Sequence, residues 1–314
     1  MTFSLDPQLA EIIAGQSLAA GPMPTIARGD ALGLRAFADG VLEHKDAAEP
    51  ESVDVVRTDH RIAVSSGQTI LGRWYRHRGR TGRAAVLYFH GGGMVSGSVE
   101  LYDRFVARYP QRTGVPVLSV DYRLAPEHGP TVPAEDGFAA LCWLVEHAEE
   151  LGVDPSRIAV MGDSGGGGVA AAVAIAARES GVPLAAQILL YPMLDDRTVE
   201  PDPLLVPFAR WTYDHNYTGW HALLGASLGT PGVSALSAPA RLTDFAGLPR
   251  TFIDVGELDI FRDESIDYAR RLTRAGVSTE LYVRRGAAHG FDRIGPADVS
   301  DRSWEDRFRF IESL

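Results

Sequence analysis

From residue 84 onward, short apolar runs bounded by Gly, Pro or Asp alternate with longer stretches of helical spacing. The runs are AAVLYFH (84–90), VPVLSVDY (115–122), RIAVMGD (157–163), AAQILLYP (185–192), RTFIDVG (250–256) and TELYVRR (279–285). Their length, apolar character and bounding residues predict buried strands. Between most of them lie helical segments such as AEDGFAALCWLVEHAEEL (134–151) and RDESIDYARRLTRAG (262–276), the latter with Asp263 as expected N-cap and Gly276 as the stop just past its end. Strands alternating with helices predict an α/β fold built on a mostly parallel, doubly wound sheet. Upstream, VDVVRTD (53–59) and QTILGRWYRH (68–77) have no long helix between them. They predict an antiparallel start to that sheet.

Two segments stand outside the alternation. Residues 1–48 read as helices interrupted by Pro and Gly, and residues 195–240, rich in Pro and aromatics, interrupt the core between two strands. The expected organisation is therefore an N-terminal cap (1–48), a first part of the core (49–194), an inserted cap or lid (195–240) packed with the N-terminal segment, and a second part of the core (241–314). Within the insertion, PFARWTYDHNYTGWHALLG (207–225) places Phe208, Trp211, Tyr213, Tyr217 and Trp220 close together. These side chains either line a substrate pocket or pack the cap onto the core.

Composition narrows the function classes. The chain has 314 residues, 45% of them hydrophobic, enough for one large core or two modest ones. Its longest continuous apolar run, Val169 to Ala177, falls far short of the roughly 20 residues that span a bilayer. A net charge of −11, without a basic cluster interleaved with aromatics, argues against a nucleic-acid partner. The single Cys142 has no partner for an internal disulfide, and MTFSLDPQLAEIIAG lacks a secretory pattern, so a reducing cytoplasm is expected. No clustered ligand set points to a metal, and no cofactor is expected.

The chemistry concentrates in GDSGGGG (162–168). Its spelling suits both the trypsin-like proteases and the GxSxG turn of a nucleophile elbow. The absence of cystines weighs against the former. Ser164 follows the run 157–163 and precedes the small-residue stretch GGGGVAAAVAIAARES, the strand, serine, helix order that an elbow requires. Gly162 and Gly166 would then let strand and helix approach, and the Gly165 N–H would lie at a helix N-terminus facing a developing oxyanion. The plainer alternative is a Gly-rich turn with Ser164 as an N-cap. A dinucleotide reading through Gly166, Gly168 and Ala171 lacks the acidic residue expected about 20 positions on.

A serine needs a base, and only His215, His221 and His289 follow it. His215 and His221 fall in the inserted segment, whereas His289 directly follows the last expected strand, at the sheet edge where sites form. For the acid, Asp254 lies within a strand and Asp263 is assigned to the helix cap, which leaves Glu257 and Asp259 in GELDIFRD. Asp259 is favoured as the further from the strand end, with Glu257 as its rival. Upstream, FHGGGMVSGS (89–98) offers backbone N–H groups without side-chain cover, suited to an oxyanion hole.

With these motifs in place, the chain resembles the hormone-sensitive-lipase-like esterases, also called bacterial family IV carboxylesterases, of the α/β-hydrolase superfamily. HGGG (90–93), DYRLAPE (121–127), GDSGGG (162–167), LYPMLD (190–195), GLP (247–249), ELDIFRDESIDYARRLTRAGV (257–277) and HGF (289–291) carry the resemblance over roughly residues 50–313. It implies Ser164 as nucleophile, Asp259 as acid, His289 as base, and oxyanion donors at Gly92, Gly93 and Gly165. Arg123, Glu127 and Asp163 would act as scaffold. Two departures stand out: Gly165 where the family often has Ala, and Met94 where an aromatic commonly follows HGGG. Met94 joins Phe208, Trp211 and Tyr213 as a candidate pocket residue. The expected function is hydrolysis of short to medium acyl esters by a monomer or homodimer, a small-molecule ester being the partner. The alternatives are amide, lactone or deacetylase chemistry on the same groups, or a hydrolase-fold binding protein without catalysis.

Overall fold

The computed structural model describes residues 3–20, 25–80 and 82–314; residues 1–2 and 21–24 of the expected N-terminal cap lie outside this range. In chain order the elements are α1 (Pro7–Ala20), α2 (Ala31–Ala48), β1 (Val55–Ala63), β2 (Thr69–His77), β3 (Ala85–Phe89), α3 (Asp103–Thr113), β4 (Val117–Val120), α4 (Val132–Glu146), α5 (Ala148–Leu151), β5 (Ile158–Asp163), α6 (Gly165–Glu179), β6 (Ala186–Leu190), α7 (Tyr213–Leu224), β7 (Thr251–Gly256), α8 (Arg262–Arg274), β8 (Thr279–Arg284) and α9 (Asp298–Glu312). The strands form one eight-stranded sheet in the order β1-β2-β4-β3-β5-β6-β7-β8. β1 and β2 pair antiparallel, as do β2 and β4, and the other pairs are parallel.

Helices cover both faces, so the central strands β3, β4, β5 and β6 are buried at every position. Their side chains alternate between two cores, as the pleat requires. Ala85, Leu87 and Phe89 join Val160, Val173 and Leu141 on one side. Val86 and Tyr88 meet Phe105, Tyr109, Trp304 and Phe308 on the other. Each Phe or Ile removed from water in this way contributes roughly 1.5–3 kcal/mol. α6 is buried along nearly its whole length, which explains why GGGGVAAAVAIAA shows no polar face: a helix packed on all sides has none.

α8 departs from expectation at its start. Phe261 occupies the cap position and Asp263 lies inside the first turn, with its carboxylate 2.7 Å from Arg262 Nε. An acidic side chain there favours the helix dipole without capping any N–H. Gly276, at φ +80°, does sit just past the helix end. Among the described residues, no helix is long and apolar enough to cross a membrane.

The N-terminal helices and the 195–240 segment meet each other. The N–H of Gly29 donates to Thr218 Oγ1 of α7 at 2.9 Å, Arg28 pairs with Asp214 at 2.9 Å, and the Phe37 and His215 rings are 6.4 Å apart. Arg35 fastens α2 to the core by donating to Val95 O (2.6 Å), Ala125 O (2.7 Å) and both oxygens of Glu127. That contact holds the Glu127 carboxyl down at about 2. The inserted segment is tied at its base by the buried Glu264 of α8. Its carboxylate accepts from Leu194 N at 2.6 Å and from the Thr198 hydroxyl.

Candidate active site

Ser164 stands between β5 and α6 with φ +54° and ψ −120°, a backbone geometry that L-residues rarely adopt. The surrounding contacts hold it there. Its N–H donates to Leu190 O at 2.9 Å, and its carbonyl accepts from Gly167 and Met193 at 3.0 and 2.9 Å. The neighbouring glycines are required by contact. A Cβ on Gly162 would lie 2.1 Å from Gly166 O, and one on Gly166 would lie 2.1 Å from Phe89 O. Gly167 and Gly168 are similarly close to Pro192 and Met193. Although Ser164 occupies the cap position of α6, its side chain caps nothing. Its Oγ lies 3.0 Å from His289 Nε2.

His289 follows β8 on the turn that precedes α9. Its Nδ1 lies 2.7 Å from Asp259 Oδ2, and the Asp259 side chain is completely buried. A carboxylate only accepts, so this pairing puts the proton on Nδ1 and turns the Nε2 lone pair toward the Ser164 hydroxyl. Two aromatic edges fix the ring between them: Tyr191 at 4.9 Å and 73°, and Phe261 at 5.2 Å and 79°. Glu257, the rival acid, points elsewhere and accepts the Gly286 N–H at 2.9 Å.

The HGGG turn faces the serine. A Cβ on Gly165 would lie 2.8 Å from both Gly93 N and Met94 N, so backbone nitrogens of the two loops border one small space. Gly92 (φ +116°) and Gly93 (φ +61°) take conformations suited to glycine, and Met94 follows at φ +60°. His90 holds the turn from below. Its ring stacks on Tyr122 at 4.4 Å, its Nδ1 is 2.9 Å from Gly91 O, and burial lowers its pKa. Asp163, beneath the elbow, accepts from the hydroxyls of Tyr88 and Tyr102 (the latter at 2.9 Å), while burial raises its pKa.

The four candidate pocket residues separate. Trp211 is half-buried and its indole lies over Gly93, where a Cβ would come 2.5 Å from the ring. Phe208 is partly exposed in the short turn Val206–Phe208. Met94 and Tyr213 are buried in the main core at 2% and 6% exposure. His215 meets Trp211 at 5.5 Å, and the histidine that pairs with Ser164 is His289. Of the implied scaffold residues, Arg123 pairs with the buried Asp136 at 2.7 Å and Glu127 with Arg35.

Other residues at the site carried no separate signal in the sequence. The Tyr191 hydroxyl donates to Asp292 Oδ1 at 2.9 Å, and the other oxygen of Asp292 meets Arg307 at 2.9 Å. Tyr191 lies within LYPMLD and Asp292 directly follows HGF, so motif adjacency was the only available hint.

A family model described as alpha/beta hydrolase fold matches residues 86–293. Among curated relatives, Esterase LipI of Mycobacterium tuberculosis is 35% identical over 242 residues, 73% of this chain and 71% of that one. Ethyl acetate hydrolase of Pseudomonas putida is 32% identical over 290 residues, 85% and 84% of the two chains. The solved structure of a bacterial heroin esterase superposes with a TM-score of 0.90 at 36% identity, covering 99% of this chain and 98% of that one. The chain is a hydrolase and belongs to the α/β-hydrolase family, in the branch of the hormone-sensitive-lipase-like esterases.

Proposed function

We propose that the chain is a serine carboxylesterase acting on short to medium acyl esters through an acyl-enzyme. The observation that carries this reading is the unbroken chain Ser164 Oγ, His289 Nε2, His289 Nδ1, Asp259 Oδ2, with contacts of 3.0 and 2.7 Å. His289 Nε2 takes the Ser164 proton as Oγ attacks the ester carbonyl, while buried Asp259 stabilises the imidazolium. The N–H groups of Gly92, Gly93 and Gly165 receive the carbonyl oxygen as it becomes negative. The bond to the leaving oxygen then breaks and His289 protonates the departing alcohol. Water, deprotonated by the same histidine, attacks the acyl-enzyme and regenerates Ser164. These groups complete the cycle without calling on a metal or cofactor.

Residues 1–48 and 195–240 serve as the cap in this reading and set acyl-chain preference, with Trp211 lying against Gly93. We place the protein in a reducing cytoplasm, in keeping with its lone Cys142, and as a monomer or homodimer.

p-Nitrophenyl esters from acetate to palmitate test the reading. Wild type should turn over the short and medium esters best, and Ser164→Ala should lose activity by on the order of 10⁶ in kcat while remaining folded. Absence of turnover by folded wild type, or activity retained in Ser164→Ala, would rule it out.

A further inference from the structure

The inserted segment reaches the HGGG turn on two sides of one residue. Beside the Gly93 Cα lies the Trp211 indole, where a Cβ would come 2.5 Å from Cζ2 and 2.7 Å from Cη2. Against the Gly93 carbonyl lies Gly219 of α7, whose missing side chain permits the approach: a Cβ there would stand 2.9 Å from the oxygen. Gly93 keeps its φ of +61° between these two contacts.

Trp211 and α7 are joined by Asn216, completely buried in the first turn of that helix. Its Oδ1 accepts from Trp211 Nε1 at 3.4 Å, and its Nδ2 donates to Thr198 O at 2.5 Å. An indole nitrogen only donates and a carbonyl only accepts, so an amide placed this way round satisfies both. Nε1 is the one polar atom of the indole, so this bond fixes the ring's rotation beyond what packing does. The Thr198 hydroxyl in turn donates to the buried Glu264, whose other oxygen accepts from Leu194 N at 2.6 Å. Glu264 lies in the first turn of α8, five residues after Asp259. Between them, the Phe261 N–H donates to Asp259 Oδ1 at 3.0 Å and the Phe261 ring meets His289. One short segment, 259–264, therefore carries the partner of His289 at one end. At the other end it starts a relay of Glu264, Thr198, Asn216 and Trp211 that finishes on Gly93.

We propose that Asn216 is a positioning residue for the oxyanion turn. By tying the Trp211 indole to Thr198, and through Thr198 to Glu264, it holds Gly93 in the conformation that presents its N–H to the reacting oxygen. The inference rests on the esterase reading above and adds a residue that acts through Trp211, without touching the substrate. Its effect falls on the step in which negative charge develops, so it governs kcat more than KM.

Kinetics on p-nitrophenyl butyrate and inhibition by an alkyl trifluoromethyl ketone test this together. Ser164 Oγ adds to the ketone carbonyl, its proton passing to His289, and the resulting oxyanion takes the place of the reacting oxygen. Asn216→Leu should lower kcat about tenfold, less than direct loss of an oxyanion donor, with KM within about threefold of wild type. The inhibition constant of the ketone should rise about tenfold in step. In a Trp211→Phe background the same substitution should cost less than about threefold, because the ring through which it acts has changed. Asn216→Asp keeps the acceptor for Trp211 but sets an oxygen against the Thr198 carbonyl. It should reproduce the loss, and it decides the matter if the leucine variant does not fold. A kcat within about threefold of wild type, an unmoved inhibition constant, or losses that multiply in the double variant would overturn the relay and leave the esterase reading standing. If wild type neither hydrolyses the ester nor binds the ketone, the reading beneath the proposal fails as well.

Discussion

Asp259 Oδ2 meets His289 Nδ1 at 2.7 Å with its carboxylate fully buried, and Glu257, two residues earlier on the same loop, turns away to the Gly286 N–H. The two rival carboxylates of GELDIFRD therefore have different partners. Asp259→Asn should lower kcat by on the order of 10⁴, because an amide favours the wrong imidazole tautomer. Glu257→Gln keeps an acceptor for Gly286 and should change kcat only a few-fold. Side-by-side kcat measurements on one ester decide it: a larger loss from Glu257→Gln would reassign the acid.

Gly93 and Trp211 form a second coupled pair. A Cβ at position 93 would lie 2.5 Å from the indole on a backbone at φ +61°. With the HGGG turn as the proposed oxyanion hole, Gly93→Ala should reduce kcat by about 10² as that turn shifts. Adding Trp211→Ala removes the clash and should recover part of that loss, since the two positions share a contact and their effects will not add. Strictly additive losses in the double variant would count against the contact.

Gly166 tests the elbow itself. Its missing side chain makes room for the Phe89 and His90 carbonyls, at 2.1 and 2.4 Å from where a Cβ would stand, and backbone on both sides leaves little room for adjustment. Gly166→Ala should lower the melting temperature by several degrees, the effect of about 1–3 kcal/mol of overpacking. A thermal melt indistinguishable from wild type would mean that the elbow is looser than described.

The Asp292 to Arg307 pair supports the histidine turn from beneath. Burial works against the Asp292 charge, but Arg307 and the Tyr191 hydroxyl outweigh it and hold the carboxyl below its usual range. A carboxyl with a lower pKa folded than unfolded stabilises fully above the unfolded value near 3.9, and that contribution fades as the pH falls through the folded value. Asp292→Asn should therefore cost about 3–5 kcal/mol at pH 7, where it leaves Arg307 buried beside a neutral group. The gap to wild type should narrow below about pH 4. Urea unfolding of both proteins at pH 7 and pH 3.5 gives the comparison, and a gap independent of pH would refute the assignment.

Most of the framework is readable in the sequence because it depends on local patterns. Apolar runs punctuated by Gly and Pro place all eight strands within a few residues, and the lack of a helix between β1 and β2 foretells their antiparallel pairing. The strand, Ser164 and small-residue order announces the elbow, since the elbow's sterics exclude side chains at positions 162 and 166. Asp263 was misread because an acidic residue near a helix start suits both the cap and the first turn. One position along the chain decides between them, and that depends on how Phe261 packs against His289.

What only the tertiary structure decided is long-range. In the sequence Asp259 is favoured over Glu257 by its distance from the strand end; that Asp259 meets His289 while Glu257 meets the Gly286 N–H follows from the directions in which β7 and β8 deliver their loops. Tyr191, Asp292 and Arg307 come from three separate stretches and meet only because parallel strands align their ends. Periodicity and turn chemistry act over a few residues, so a sequence states them directly; burial, charge and the direction of a side chain depend on neighbours that folding brings from far along the chain.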